Sequence, residues 1–437
     1  MIDSDRVNRR EWWRLATVDI TPLRRHRDYR LLFIGRLVSF FGTMITFVAV
    51  PYQVYQLSHS TLLVGSLGLV EFVALFGFAM LGGALADAAD RRRMVLLSEA
   101  GLMVGSLVMT GNSLLQHPTL WVIFAVALLW GALDALQRPS LGALMPRLVD
   151  RDELPAATAL DSLRGTVAMI AGPALGGVLI SIAGLPITYV VDVATFLVGL
   201  GCLALMRAVP PPVDAERPSF RRVQEGIRYA RSRPELIGTY VVDIVAMVFG
   251  MPLALFPAIA QGIGGASTLG LLYAAPAIGS FVFFATSGWA RRVHRHGMGV
   301  IVAATLWGLA IIGFGLLPGL APALFFVALA GAADAASGLY RQVIWNQTIP
   351  DSLRGRLASI ELLSYTVGPT LGNFEAGVVA SLFSVRTSML SGGILTVIGC
   401  IVCAAALPAF RRYDERKWRA RSQAATPTPA PPPEGEG

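Results

Sequence analysis

Apolar runs of roughly 20 residues, each long enough to cross the hydrocarbon core of a bilayer as a helix, recur along the chain between short polar connections. The pattern predicts helices over 31–56, 62–86, 94–115, 119–143, 156–183, 186–207, 236–258, 268–290, 298–318, 321–345, 358–383 and 388–408. Twelve spans are expected. The connections between them differ in charge. Lysine and arginine number 8 before the first span, 3 at Arg91 to Arg93, 2 at Arg147 and Arg151, 7 from Arg207 to Arg233, 3 from Arg291 to Arg295, 2 at Arg354 and Arg356, and 6 after the last. Alternate connections thus hold 31 of the 36 basic residues, and Arg386 alone falls in the opposite set. By the positive-inside rule the basic side is cytoplasmic, with both termini on it.

Composition agrees with this reading. Of 437 residues, 54% are hydrophobic and 15% charged, whereas soluble domains carry roughly a quarter charged residues. The net charge of +8 calls for no nucleic-acid partner, because the cations sit at span ends facing anionic headgroups and no recognition motif accompanies them. Residues 1–30 form a basic segment with eight arginines and no apolar core long enough for a signal peptide, so the first span is expected to serve as its own insertion signal. Trp12, Trp13, Leu15, Val18 and Ile20 suit a short helix on the inner leaflet or a partly ordered tail; both readings stay open. Cys202, Cys400 and Cys403 all fall within spans. Without nearby histidine or further cysteine, the Cys400 and Cys403 pair is read as packing, and no metal is expected.

The longest internal hydrophilic stretch, 208–235, divides the spans six and six, giving bundles over 31–207 and 236–408. Within it Phe220, Val223, Ile227 and Ala230 recur at helical spacing opposite Arg221, Arg222, Arg228 and Arg231, the pattern of an amphipathic helix. Residues 409–437 are expected outside the bundles as a disordered tail, Pro, Ala and Thr dominating after Arg421. The halves answer one another. Gly131-Ala132-Leu133-Asp134-Ala135 returns as Gly331-Ala332-Ala333-Asp334-Ala335, and Pro173-Ala174-Leu175-Gly176-Gly177 as Pro369-Thr370-Leu371-Gly372-Asn373. Both pairs run in the same direction, so two parallel repeats enclosing a central cavity are expected.

Two motifs carry chemistry. Gly82-Gly83-Ala84-Leu85-Ala86-Asp87-Ala88-Ala89-Asp90-Arg91-Arg92-Arg93 puts charges of both signs at the basic rim, suited to a latch that breaks and reforms. With Gly83, Leu85, Asp87, Arg91 and Arg92 in place, this loop resembles the signature G-x-L-A-D-x-x-x-R-[RK] of the major facilitator superfamily, with Asp90 where a glycine is common. The matching loop of the second half, Ser287-Gly288-Trp289-Ala290-Arg291-Arg292, lacks the aspartate. Gly172, Pro173, Gly176 and Gly177 resemble the antiporter motif G-P-x-x-G-G of exporting facilitators, on a helix that proline lets bend and glycine lets approach a neighbour. From Leu23 to Gly65 the elements Phe33, Arg36, Val50-Pro51, His59-Ser60-Thr61 and Val64-Gly65 are similar to the enterobactin-exporter branch, as are Leu271-Leu272-Tyr273-Ala274-Ala275 and Arg354-Gly355-Arg356. That branch also contains macrolide and other drug exporters. The resemblance implies an all-α integral membrane protein of major facilitator fold in a bacterial inner membrane.

An ionisable residue within a span costs about 2.5 to 3.5 kcal/mol, so those that survive are expected to form networks or pathways. They are Arg36, Arg138, Arg164, Arg341, Glu71, Glu99, Asp134, Asp161, Asp192, Asp243, Asp334, Glu361 and Glu375. Asp134 with Arg138 and Asp161 with Arg164 share helical faces. With Asp87 and Arg91 they are expected to form an inner gate, Asp334 and Arg341 being their counterparts. Glu71 has no cation three or four positions away. A carboxylate without one is more easily protonated in a low-dielectric span, as a proton carrier must be. Glu375 shares this character, and Asp134 is a third candidate. Neutralisation of Glu71 by Arg36 across the bundle is the competing reading. Arg36, Glu71, Gln137 and Tyr273 are the expected substrate-cavity residues.

No G-x-x-x-x-G-K-[ST] occurs, and the five histidines form no catalytic cluster. Neither a nucleotide partner nor an enzymatic activity is expected, and no catalytic residue is assigned. The expectation is a monomeric exporter in the lipid bilayer, using a proton gradient and no cofactor. Its substrate would be a catecholate-like siderophore or, in the alternative, drugs of macrolide type. An importer and a non-transporting membrane protein are the remaining readings.

Overall fold

The computed structural model describes residues 19–88, 90–207 and 228–416, with side chains throughout except at 79–88, 143, 291, 351–352, 354–356 and 358–364. The described residues form helices and no strand, as a bilayer requires, since a helix satisfies its own backbone groups. The helices are α1 Thr21–Arg25, α2 Arg27–Ser58, α3 Thr61–Ala88, α4 Arg91–Leu114, α5 Leu120–Leu144, α6 Leu154–Ala204, α7 Pro234–Gly250, α8 Phe256–Ile263, α9 Gly265–Thr286, α10 His296–Leu316, α11 Leu320–Thr348, α12 Asp351–Leu382, α13 Val385–Ala406 and α14 Pro408–Arg411. By length and apolar composition, 10 helical stretches among the described residues can cross a membrane.

One of the ten, spanning α6, runs over 54 residues, too long for one crossing at roughly 1.5 Å per residue. It breaks at Gly184, whose φ of 77° lies in the left-handed region that glycine enters without a Cβ clash. Two arms result. The opposite correction applies to 236–258, expected as one helix. Pro252 donates no backbone hydrogen bond, so α7 stops at Gly250 and the chain passes through a 3-10 turn, Leu253–Leu255, into α8. The exposed backbone is rescued locally. Trp307 Nε1 donates to the Gly250 carbonyl at 3.0 Å, and the Ala254 N–H donates to Asn373 Oδ1 at 3.0 Å.

Packing separates the chain into halves. Helix α2 lies on α6, α3 on α5, and α4 on both α5 and α6. In the second half α10 packs on α11 and α13, α9 on α11, and α7 on α12 and α13. The halves meet chiefly along α6 with α9 and along α3 with α12. Both seams are tight at the end away from the arginine-rich connections. Thr61 Oγ1 donates to the Gly377 carbonyl at 3.0 Å across α3 and α12. On the other seam a methyl group on Gly177 would come within 2.8 Å of Gly270 Cα, so these glycines let two helices touch backbone to backbone.

Past residue 408 the chain remains packed, which corrects the boundary set for a disordered tail. Phe410 is fully buried against Gly238. Tyr413 donates to Gln347 Oε1 at 2.9 Å, and the Glu415 N–H to the His294 carbonyl at 3.0 Å. Burial pushes the Tyr413 phenol above its ordinary range, keeping it a donor. Of the expected linker helix, residues 228–231 are helical, and Tyr229 donates to the Thr348 carbonyl at 2.7 Å; residues 208–227 lie outside the described residues, as do residues 1–18 with the tryptophan segment.

Candidate functional site

A cavity of about 320 Å³ lies between the halves. Met44 and Phe47 from α2 and Met169 from α6 face Met247 of α7, Tyr273 of α9, Trp307 of α10 and Tyr365 of α12. Such a wall of aromatic rings and unbranched thioethers adapts to flat apolar ligands. Away from the basic end, rings close it. Phe47 and Tyr273 meet edge to face at 5.2 Å across the two halves, and Tyr273 meets Phe256 at the same distance. The Tyr273 hydroxyl donates to the Leu253 carbonyl at 3.2 Å, in the turn that Pro252 creates.

Toward the basic end the wall is charged. Arg341 is 2% exposed and forms an ion pair with Asp243, itself 4% exposed, while Asp334, 44% exposed, lies 3.6 Å from Nη2. The guanidinium also stacks over the Tyr365 ring at 5.3 Å. The sequence pairs Arg341 with Asp334, two helical turns away on α11. The structure makes Asp243 the closer partner, because α7 packs alongside and brings a buried acid up to the guanidinium.

Arg36, Arg138 and Arg164 of the first half each face a carboxylate. Arg138 Nε meets Asp134 Oδ2 at 2.6 Å, and Arg164 Nη2 meets Asp161 Oδ1 at 2.7 Å. Arg164 also stacks over Phe40 at 5.4 Å and donates to the Arg36 carbonyl at 3.4 Å. Arg36 lies 3.5 Å from Glu99, which accepts from the Ser39 hydroxyl at 3.3 Å. Arg36 is thereby engaged away from Glu71. No ion pair reaches Glu71 among the described residues; it is exposed on α3, which packs on α5, the helix that carries Asp134. Asp192, buried in the same half, accepts from Ser106 at 2.6 Å. Glu375 is half-buried on α12.

At the basic rim, His26 Nε2 lies 2.9 Å from Glu153 and 3.9 Å from Asp150, a set of donors close enough to share an ion. Arg25, at 3.0 Å, already neutralises Glu153.

The sequence profile of the transmembrane secretion effector family matches residues 17–429. The chain belongs to that family, within the major facilitator superfamily. The chain is 29% identical over 399 residues to the enterobactin exporter EntS of Citrobacter koseri, a match covering 91% of this chain and 95% of the relative. It is 28% identical to EntS of Salmonella typhimurium over the same shares. In fold it is similar to a bacterial homologue of the human lysosomal transporter Spinster in its inward-facing, unoccupied conformation (TM-score 0.66, 16% identity, 90% of this chain and 97% of that one). A bacterial homologue of the iron transporter ferroportin (0.66, 16%, 88% and 98%) and the D323A variant of the nucleoside transporter NupG (0.68, 14%, 86% and 99%) share it too. Its relatives are transporters and it is not an enzyme.

Tyr273 lines the cavity between the halves, whereas Arg36, Glu71 and Gln137 are not among its lining residues. Arg36 borders a smaller pocket of about 180 Å³ with Tyr29, Asp161 and Arg164, and Gln137 is buried among first-half residues. Of the motif loop, the side chains of Gly83, Asp87 and its neighbours to 88 fall outside the described set. Arg91 is half-buried. Arg92 donates to the carbonyls of Leu203 and Ala204 at 2.7 and 2.5 Å, binding the end of α6 within its own half. In the antiporter motif, Gly172 and Gly176 admit Met44 and Ile45 of α2, while Gly177 faces Gly270 across the seam. The methionine and aromatic lining was not legible in the sequence because the same residues fill any apolar span. The signal available was Asp243, an acid in the middle of the seventh apolar run with no cation on its own helix.

Proposed function

We propose that this protein is a secondary active exporter that carries a siderophore or a related amphipathic small molecule out of the cytoplasm in exchange for protons. One observation carries the reading. Both seams between the halves are closed at one end, by Thr61 with Gly377 and by Gly177 with Gly270, and a cavity with ionisable walls lies between them toward the other end. This arrangement supports alternating access, of which it would be one state. Dividing α6 at Gly184 and adding α12 to the ten qualifying helices makes twelve spans in two six-helix bundles. The alternation of arginines supports a cytoplasmic basic end with both termini on that side. The cavity then faces inward, where a cytosolic substrate is loaded.

The likeness to EntS relatives over 91% of the chain supports the siderophore class and an inner-membrane site. The methionines lining the cavity support a second reading, a broad drug efflux pump, because flexible thioethers repack around unlike ligands. Glu71 is the proposed coupling carboxylate, with Glu375 second and the Asp134 pair as its neighbour. A proton on Glu71 changes the charge that α3 presents toward the Asp134 and Arg138 pair of α5, and its charge state biases the approach of the two helices. The protein works as a monomer without a bound cofactor.

Metabolite profiling of cells and medium after deletion, under iron limitation, tests the function. Retention of a siderophore inside the cells supports it, and an unchanged distribution of every siderophore and amphipathic metabolite contradicts it.

A further inference from the structure

We infer that Asp334 is a binding site for a cationic group of the transported molecule, so that among the proposed substrates an amphipathic aromatic compound bearing one positive charge, as in the drug-efflux reading, is favoured over an anionic catecholate. The inference rests on the exporter reading for its physiological meaning, and on the cavity alone for its chemistry.

Charge decides first what this cluster can hold. Arg341 and Asp243 are both nearly fully buried and form an ion pair, so each offsets the other's loss of hydration. Asp334 approaches the same guanidinium at 3.6 Å, and one positive charge cannot balance two negative ones. Among the described side chains the cluster holds one surplus negative charge, and it rests on the member that the cavity can reach, since the Asp334 side chain is 44% exposed where its two partners are 4% or less. A carboxylate in that position favours a cation over any anion of equal size.

The surroundings narrow the ligand further. Tyr365, Trp307, Tyr273 and Phe47 line the same cavity, and aromatic faces attract a desolvated cation through their quadrupoles. Arg341 already lies over Tyr365, so the wall holds one cation in this way. The apolar remainder suits the body of the ligand.

Protons compete for the same carboxylate. Among the described residues, the groups facing it are Arg341 on its own helix, Asp243 on α7 and Tyr365 on α12. The other helices that pack on α11 bring only Tyr273 from α9 and His296 from α10, and His296 stacks on Tyr340. None of these supplies a second free cation to Asp334.

The test uses two ions of nearly the same shape and opposite charge. Titrations of the purified full-length protein with tetraphenylphosphonium and with tetraphenylborate, read by tryptophan quenching and calorimetry, should show that the cation binds and the anion does not. Asp334→Asn should weaken the cation by at least about tenfold, Asp334→Glu should retain it, and acidification should weaken it in the wild-type protein. Tetraphenylborate binding as tightly as the cation overturns the assignment without recourse to any variant, as does unchanged cation binding in a folded Asp334→Asn protein. Proton-driven export is a separate arm. If the cation binds through Asp334 yet no pH gradient moves it, the exporter reading fails and the site stands; if Asp334→Asn keeps its affinity while a pH gradient still drives export, the reverse holds.

Discussion

Gly177 of α6 and Gly270 of α9 face each other across the two halves so closely that a methyl group on either would collide with the backbone of the opposite helix. The antiporter motif is thus half of a seal, and its partner lies nearly one hundred residues away.

A side chain at Gly270 must open that seal. Gly270→Leu would place carbon within 2.5 Å of the Pro173 carbonyl, and overpacking of this kind costs about 1 to 3 kcal/mol, enough to shift a balanced equilibrium between cavity orientations. A cysteine replacing Phe47 should then react with an impermeant thiol reagent from outside intact cells, and in the parent it should not. Equal labelling in both backgrounds would show that this contact does not seal the cavity.

Arg341 holds the charges of the second half together. Arg341→Ala leaves Asp243 buried without a cation, at a cost of about 3 to 5 kcal/mol. The double change Arg341→Gln with Asp243→Asn removes both charges and should recover most of that loss, as read by thermal unfolding in detergent. Additive losses would mean that the pair is not coupled.

Phe410 tests the packed segment after α13. Phe410→Ala empties a fully buried site against Gly238 and should cost about 3 to 5 kcal/mol, whereas truncation after residue 421 should leave thermal stability unchanged. An unaffected Phe410→Ala protein would return the segment to the tail.

The apolar helices were legible because a bilayer imposes length and apolarity on each helix separately, and the Asp134 with Arg138 and Asp161 with Arg164 pairs because both members share one helix. What escaped depends on partners distant in sequence. Nothing local says that Asp243 will meet Arg341, that Arg36 will turn to Glu99, or that Gly177 will find Gly270. The break at Pro252 was readable in principle, but its repair by Trp307 and Asn373, which makes it tolerable in a membrane, comes from two other helices. Gln137 and Arg36 read as cavity residues because they are polar and within spans; the packing of the first half turns them away from the cavity between the halves.

Coupling to protons is the central claim, and Glu71 its proposed carrier. Reconstituted in proteoliposomes under an imposed pH difference, the wild-type protein should accumulate substrate against its gradient. Glu71→Gln imitates the protonated form while nearly conserving shape. It should still bind substrate and exchange it down a gradient, and it should lose pH-driven accumulation. Accumulation that survives Glu71→Gln undiminished contradicts the assignment of Glu71, and a wild-type protein indifferent to the pH difference contradicts proton antiport itself.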